Sequence, residues 1–208
     1  MAERDRINLN DMPGEIMDMF KELGNIGAGN ATTALAQMLQ CHVDMKVPSV
    51  KVLDFCDVGS TVGGEEQIMV AIYLNVEGDI AGSIMYMQAV TSANHILSKM
   101  LGEEIHDKYQ YSEMQLSALK EIGNIITGSY LNSLAALTRL KIIPSIPSLS
   151  IDMAGAILSV PAIEFGQVSD KILLIQTQFT DEVEIDGYFL LVPDLASYDV
   201  ILNSLGMN

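Results

Sequence analysis

Apolar residues recur at steps of three and four along two long segments of the chain, residues 12–39 and 111–139. This spacing matches one face of a helix with 3.6 residues per turn, so it predicts two long amphipathic helices. The apolar stripes are formed by Ile16, Met19, Phe20, Leu23 and Ile26 in the first segment and by Met114, Leu116, Leu119, Ile122 and Ile126 in the second. Ser112, followed three residues later by Gln115, predicts a capping box at the start of the second helix.

Between these helices the pattern changes to short runs rich in β-branched and apolar residues, which predict β-strands. The predicted strands are 47–55, 68–76 and 80–87 in the first half and 142–151, 156–165, 171–180 and 184–192 in the second. A short helix closes each half, at 89–101 and 194–205, with Gly102 and Gly206 as stops. Consecutive strands are not separated by a crossover helix, so the sequence predicts an α+β fold with an antiparallel sheet covered by helices.

The two halves of the chain repeat one another. Residues 21–26 read Lys-Glu-Leu-Gly-Asn-Ile and residues 120–125 read Lys-Glu-Ile-Gly-Asn-Ile, an offset of 99 positions. The offset becomes 105 from Ile80 and Ile185 onward, which indicates an ancestral duplication with six residues added between about 149 and 185. We therefore expect one domain over 1–208, made of two repeats at about 10–104 and 109–208.

Composition narrows the classes of function. The 27 acidic and 11 basic residues give a net charge of −16, which disfavours nucleic acid and anionic membranes as partners and favours a partner with an exposed Lys or Arg.

We find no apolar stretch long enough for a membrane helix and nothing typical of a signal peptide. Cys41 and Cys56 lack metal-binding spacing, so we expect two free, buried thiols, no metal site and a cytoplasmic location.

Each long helix carries the same polar pair, Glu22 with Asn25 and Glu121 with Asn124. Residues three apart lie on one face of a helix, with Cβ atoms roughly 5–6 Å apart. The carboxylate can pair with a cation of a partner, whereas the amide both donates and accepts hydrogen bonds and can orient a water molecule.

Several glycines surround these pairs, although each costs a helix about 1 kcal/mol relative to Ala. They are Gly24, Gly27 and Gly29 in the first copy and Gly123 and Gly128 in the second. Their presence predicts that something approaches the helices closely.

The residues alone also allow interpretations in which these features have no functional role. A Glu-x-x-Asn pair is common on the solvated face of a helix. Residues 24–29 have the spacing GxxGxG, which differs from the GxGxxG of a dinucleotide loop, and no strand precedes them. The three histidines, His42, His95 and His106, have no paired spacing and are expected at the surface or in the core.

The spacing of the polar residues resembles that of the CheC/CheX/FliY family of chemotaxis phosphatases. The family pattern is Asp or Ser, three residues, Glu, two residues, Asn and then 22 residues before Pro, and this chain shows it twice. The matching residues are Asp18, Glu22, Asn25 and Pro48 in the first copy and Ser117, Glu121, Asn124 and Pro147 in the second. Two intact copies without a long extension are most similar to the CheC branch.

The resemblance implies a pseudo-twofold duplicated fold, in which a roughly six-stranded antiparallel sheet packs with helices and the two long helices carry the sites. It implies hydrolysis of the aspartyl-phosphate of a phosphorylated CheY-type response regulator, whose own site holds Mg²⁺ and a Lys. By this resemblance Glu22 or Glu121 pairs with that Lys, and Asn25 or Asn124 holds the attacking water. The motif is supported by Asp18, Ser117, Pro48 and Pro147, and the chain needs no cofactor of its own.

The resemblance leaves two other functions open. One is a non-catalytic adaptor for the receptor deamidase CheD, which is a further expected partner, and the other is a structural component of the flagellar switch. The sequence does not rank the two sites, which differ where Gly27 and Ala28 of the first correspond to Ile126 and Thr127 of the second. A monomer is the simplest expectation for a chain with two sites.

Overall fold

The structure, a computed structural model, describes residues 14–105, 110–165, 171–180 and 184–206. The helices in these ranges are α1 (Gly14–Leu39), α2 (Phe55–Thr61), α3 (Val90–Leu101), α4 (Glu113–Thr138), α5 (Ala154–Phe165) and α6 (Leu195–Ser204). The strands are β1 (Asp44–Asp54), β2 (Ile68–Gly78), β3 (Gly82–Ala89), β4 (Ile142–Pro144), β5 (Ser148–Met153), β6 (Lys171–Thr180) and β7 (Glu184–Pro193).

The strands form one antiparallel sheet in the order β1-β6-β7-β3-β2-β4, with β5 also paired to β2. The first strand of each repeat pairs with the second strand of the other repeat, because β1 lies on β6 while β4 and β5 lie on β2. The two repeats therefore interlock. The predicted antiparallel sheet is confirmed. It has seven strands in the described part of the chain, where about six were expected, because the strand that corresponds to β1 is interrupted at residues 145–147 to give β4 and β5.

The prediction of a strand at 156–165 is wrong, since this segment lies in helix α5. Apolar residues occur on all sides of this helix, so the sequence offers no period that separates a buried strand from a helix. Ile157 and Leu158 pack on the sheet, whereas Val160 and Ile163 are exposed. Its counterpart α2 has 7 residues against 12 in α5, which places part of the six-residue insertion in this helix.

Side chains that alternate along the strands create two apolar layers. In β6, Leu173 and Ile175 face the layer under α1 and α4, whereas Ile172 and Leu174 face the layer under α2 and α5. Burial of each such side chain contributes about 1.5–3 kcal/mol. The long helices α1 and α4 thus lie on one face of the sheet, and the much shorter α2 and α5 cover the other.

Of the ten residues in the predicted apolar stripes of the long helices, six are buried, two are exposed, and Met19 and Leu116 are half-buried. The residues buried as expected are Ile16, Phe20 and Leu23 in α1 and Leu119, Ile122 and Ile126 in α4. Ile26 is 38% exposed because it follows Asn25 on the outer side of α1, and Met114 is 66% exposed in the first turn of α4.

The predicted helix ends are also found. Ser112 Oγ accepts a hydrogen bond from the Gln115 backbone N–H, and the Gln115 side chain accepts one from the Ser112 N–H, which confirms the capping box. Gly102 and Gly206 have φ of +67° and +77°, and both follow helices in the left-handed conformation that glycine favours.

Three tyrosines are buried in the core, and burial raises the pKa of Tyr86, Tyr130 and Tyr198 above its usual value. The Tyr130 ring packs on Phe189 with 3.8 Å between ring centroids. Within the described residues, the Tyr130 hydroxyl finds no hydrogen-bond partner, whereas the Tyr86 hydroxyl donates to Gln88 Oε1. The core therefore favours neutral tyrosines strongly.

Candidate functional site

The sequence singled out two Glu/Asn pairs, and the structure places both on the outer faces of the long helices. Glu22 and Asn25 of α1 and Glu121 and Asn124 of α4 are exposed. One turn earlier, Asp18 and Ser117 are exposed as well. The polar side chains of each motif are thus available to a partner, while the opposite side of each helix packs on the sheet.

The glycines next to the asparagines bring the helices close to the protein's own sheet. A Cβ on Gly24 would lie 3.0 Å from Val47 Cγ2, and a Cβ on Gly123 would overlap Ile72 Cγ1. The close approach that the glycines predicted therefore exists, and the approaching group at these two positions is the sheet beneath the helix.

The other glycines of the two motifs divide into two kinds. A Cβ on Gly27 would lie 3.1 Å from Tyr130 Cγ, so this glycine lets α1 pack tightly on α4. Gly29 and Gly128 have no atom within 4 Å of the corresponding position. A partner could occupy the space at these two glycines, but packing within the described residues does not require them.

In the first site, the Asn25 side chain is tied to the edge strand. Its Oδ1 accepts a hydrogen bond from the Val47 backbone N–H at 3.2 Å. Val47 is 3% exposed and lies just before Pro48, at a register shift of the β1–β6 ladder between Lys46 and Ser49. The proline of the motif therefore lies next to the backbone group that holds the asparagine.

The second site is built differently at the same place. Ile146, which corresponds to Val47, is 90% exposed, and the segment before Pro147 is anchored by a 2.9 Å hydrogen bond from the Ser145 N–H to the Asn75 carbonyl. No residue of the described ranges hydrogen-bonds to the Asn124 side chain; the Thr127 hydroxyl donates to the backbone carbonyl of Asn124 instead. The two motifs thus share their spacing but differ in how the asparagine is held.

The shape and charge around the pairs favour a large partner. Both pairs lie on convex helix surfaces, whereas small molecules usually bind in concave clefts. A cleft of about 200 Å³ between α2 and α5, lined by Cys56, Glu65 and Ser159 among others, lies across the sheet from the pairs. In the part of the chain that is described, neither Glu22 nor Glu121 forms an ion pair, so both carboxylates can accept a cation from outside.

The two cysteines differ in exposure. Cys56 is exposed, so the prediction that both thiols are buried is wrong for this residue, and Cys41 is half-buried. Cys56 is the second residue of α2, a surface helix that the sequence pattern did not predict. The described ranges contain no cluster of three or more His, Cys, Asp or Glu side chains suited to a metal, and no helix there could cross a membrane.

Comparison with known proteins identifies the family. The model of the CheC-like family matches residues 15–52 and 114–151, and each match contains one complete motif. The chain is 36% identical over 202 residues to the CheY-P phosphatase CheC of Bacillus subtilis, covering 95% of this chain and 97% of that protein. The chain therefore belongs to the CheC-like family.

Solved structures share the fold. Thermotoga maritima FliY matches with a TM-score of 0.75 and 22% identity, over 94% of this chain and 98% of that chain. The FliM middle domain of Helicobacter pylori matches with a TM-score of 0.68 and 11% identity, over 93% of this chain and 99% of that chain. The duplicated sheet with two long helices is thus common to proteins of divergent sequence.

Proposed function

We propose that the protein is a phosphatase that hydrolyses the aspartyl-phosphate of a CheY-type response regulator. The observation that carries the proposal is the pair of exposed Glu/Asn motifs on α1 and α4 in a chain 36% identical to a CheY-P phosphatase. The reaction is a hydrolysis, so the enzyme is a hydrolase that acts on a protein substrate.

The proposed chemistry needs alignment more than a new nucleophile. A water oxygen attacks phosphorus, the bond between phosphorus and the acyl oxygen breaks, and the electron pair leaves on the aspartate carboxylate of the partner. The water's protons go to the departing phosphate and to solvent. Positioning the water in line with the leaving group can lower the barrier by several kcal/mol.

The residues divide this task between docking and alignment. Glu22 or Glu121 pairs with the lysine expected in the response regulator's site, and the lack of a competing ion pair among the described residues suits this role. Asn25 or Asn124 orients the attacking water through its side-chain amide. The Mg²⁺ expected on the partner neutralises the phosphoryl oxygens, so this chain supplies no metal ligand in the proposal.

The test is a dephosphorylation assay with a response regulator phosphorylated in the presence of Mg²⁺. We expect the double variant Asn25→Ala/Asn124→Ala to lose about 100-fold in turnover, and Glu22→Gln/Glu121→Gln mainly to raise KM. Asn132→Ala changes another exposed asparagine of α4, outside the motif, and is the matched control with unchanged activity. Full activity in the double asparagine variant would refute the proposed roles.

The same assay separates the alternatives. A wild-type protein that gives no acceleration, even with CheD added, would favour the adaptor function. Co-purification with the motor and no dependence on either asparagine would favour a flagellar-switch component, since the likeness to FliM shows the fold alone. Binding of CheD, a monomeric state and a cytoplasmic location stay predictions.

A further inference from the structure

We infer that the Val47 backbone N–H is a positioning group for Asn25, and that Pro48 makes this N–H available. The inference rests on the proposed function only for its catalytic consequence, because the hydrogen bond itself can be tested without any activity. A backbone N–H can only donate, so the bound atom of Asn25 must be the carbonyl oxygen, Oδ1.

The strand beneath α1 explains why the N–H is free to bind a side chain. In the β1–β6 ladder Lys46 stands opposite Gln178, and Ser49 stands opposite Gln176. Val47 and Pro48 therefore share the single partner position of Thr177, which is the arrangement of a β-bulge. Pro48 has no N–H and cannot restore the ladder there, so the Val47 N–H is directed to Asn25.

Gly24, the residue before Asn25, lets α1 lie close enough to β1 for the hydrogen bond between Asn25 and Val47 to form. The Val47 side chain is 3% exposed and lies directly under Gly24, where an added Cβ would be 3.0 Å from Val47 Cγ2. A side chain at position 24 would require either the Val47 side chain to shift by a few tenths of an ångström or α1 to move away from β1. In the first repeat Gly24, Asn25, Val47 and Pro48 thus act as one unit.

The second repeat provides an internal contrast. Residues 145–147 stand opposite only Leu74 and Asn75, so one extra residue is present there too. However, Ile146 is 90% exposed, and the Ser145 hydroxyl accepts a hydrogen bond from the Asn75 N–H at 3.0 Å. The ladder is broken there, and Asn124 receives no backbone hydrogen bond from the described residues of this segment.

The bond has a specific consequence for hydrolysis. A nucleophilic water must keep a lone pair toward phosphorus, so it has to donate its hydrogens to acceptors. The Asn25 oxygen has two lone pairs, one of which is used by Val47, and the other can accept from the water. A fixed amide reduces the orientations that must be searched before attack, and this raises kcat without changing affinity.

The bond is tested by amide hydrogen exchange of the isolated protein, followed by NMR. We expect the Val47 N–H to be protected in the wild type, to lose at least tenfold protection in Asn25→Ala, and to keep it in Asn25→Asp, whose carboxylate still accepts. Because Asn25 is exposed, both variants are expected to fold. Equal exchange in the wild type and Asn25→Ala would overturn the inference.

The catalytic role is tested with the first site alone, in an Asn124→Ala background. Replacing the Val47 peptide N–H by an ester oxygen, and separately Pro48→Ala, should each lower kcat about three- to tenfold with KM unchanged. Pro147→Ala in an Asn25→Ala background should cause a smaller loss.

An unchanged kcat in the ester variant, with the bond confirmed by exchange, would overturn the positioning role. A wild type without phosphatase activity would instead refute the proposed function and would leave the decision on the bond to the exchange experiment. The two failures are therefore distinguishable.

Discussion

Two glycines of the same helix should respond in opposite directions to the same substitution. Gly123 and Gly128 both lie within α4, where replacement of Gly by Ala gains about 1 kcal/mol of helix stability. Around Gly128 there is open space for a methyl group, so Gly128→Ala should raise the free energy of unfolding by about 0.5–1 kcal/mol.

At Gly123 the same methyl group would overlap Ile72 Cγ1 and would lie 3.0 Å from Ile72 Cβ. Ile72 is 1% exposed and branched at Cβ, so it cannot rotate away without shifting β2 or α4. Overpacking typically costs 1–3 kcal/mol, and a direct overlap lies at the upper end of that range. After the helix gain of about 1 kcal/mol, we expect Gly123→Ala to lower the free energy of unfolding by about 1–2 kcal/mol.

Urea unfolding followed by circular dichroism measures both changes, and a double-mutant cycle identifies their cause. Ile72→Ala removes the atoms that the new methyl group would meet, so Gly123→Ala should be tolerated better in that background than in the wild type. Equal stabilisation by Gly123→Ala and Gly128→Ala would show that α4 is not pressed against β2.

Three other changes follow from the structure. Ser112→Ala removes the capping box of α4 and should cost about 1 kcal/mol in urea unfolding, whereas Ser112→Asp should retain most of the stability. Because burial raises the pKa of Tyr86, Tyr130 and Tyr198, these groups stay protonated in the folded state at pH 11 while the unfolded chain ionises near pH 10. This contribution to the free energy of unfolding is fully present below about pH 10 and is lost above it, by about 1 kcal/mol per tyrosine at pH 11. Tyr130→Phe should remove one tyrosine's contribution from the difference between the unfolding free energies measured at pH 9 and pH 11. With a water-soluble thiol reagent, exposed Cys56 should react before half-buried Cys41, and Cys56→Ser should abolish the fast phase. A fast phase that persists in this variant would come from Cys41 and would contradict its half-buried position.

The long helices were predictable because the period of the apolar residues gives their length and, in α4, the Ser112–Gln115 pair independently marks the start. In the same way Gly102 marks where the shorter helix α3 ends. The segment 156–165 lacks such agreement. Its ten residues are apolar except for Ser159 and Glu164, with no regular alternation, so the pattern fits a buried strand as well as a helix. Only the packing of α5 against the sheet and α2 decides between them.

The site was predictable to the extent that it consists of side chains. The motif specifies Glu22, Asn25 and Pro48, but the donor that holds Asn25 is a backbone N–H, and every residue except proline carries one. Sequence alone therefore gives no sign of Val47 in this role, beyond the proline that follows it.

The difference between the two sites was hidden for a related reason. Both copies satisfy the same pattern at every specified position, yet Val47 is buried under α1 while Ile146 is exposed beside a broken ladder. Both are β-branched apolar residues, so their identities do not separate the two outcomes. Each strand pair carries one extra residue, but Val47 lies buried at a bulge of β1 whereas Ile146 lies exposed between β4 and β5. How the extra residue is accommodated is a property of the assembled sheet. A duplicated motif can thus preserve its chemical groups while the strand beneath it changes how firmly one of them is held.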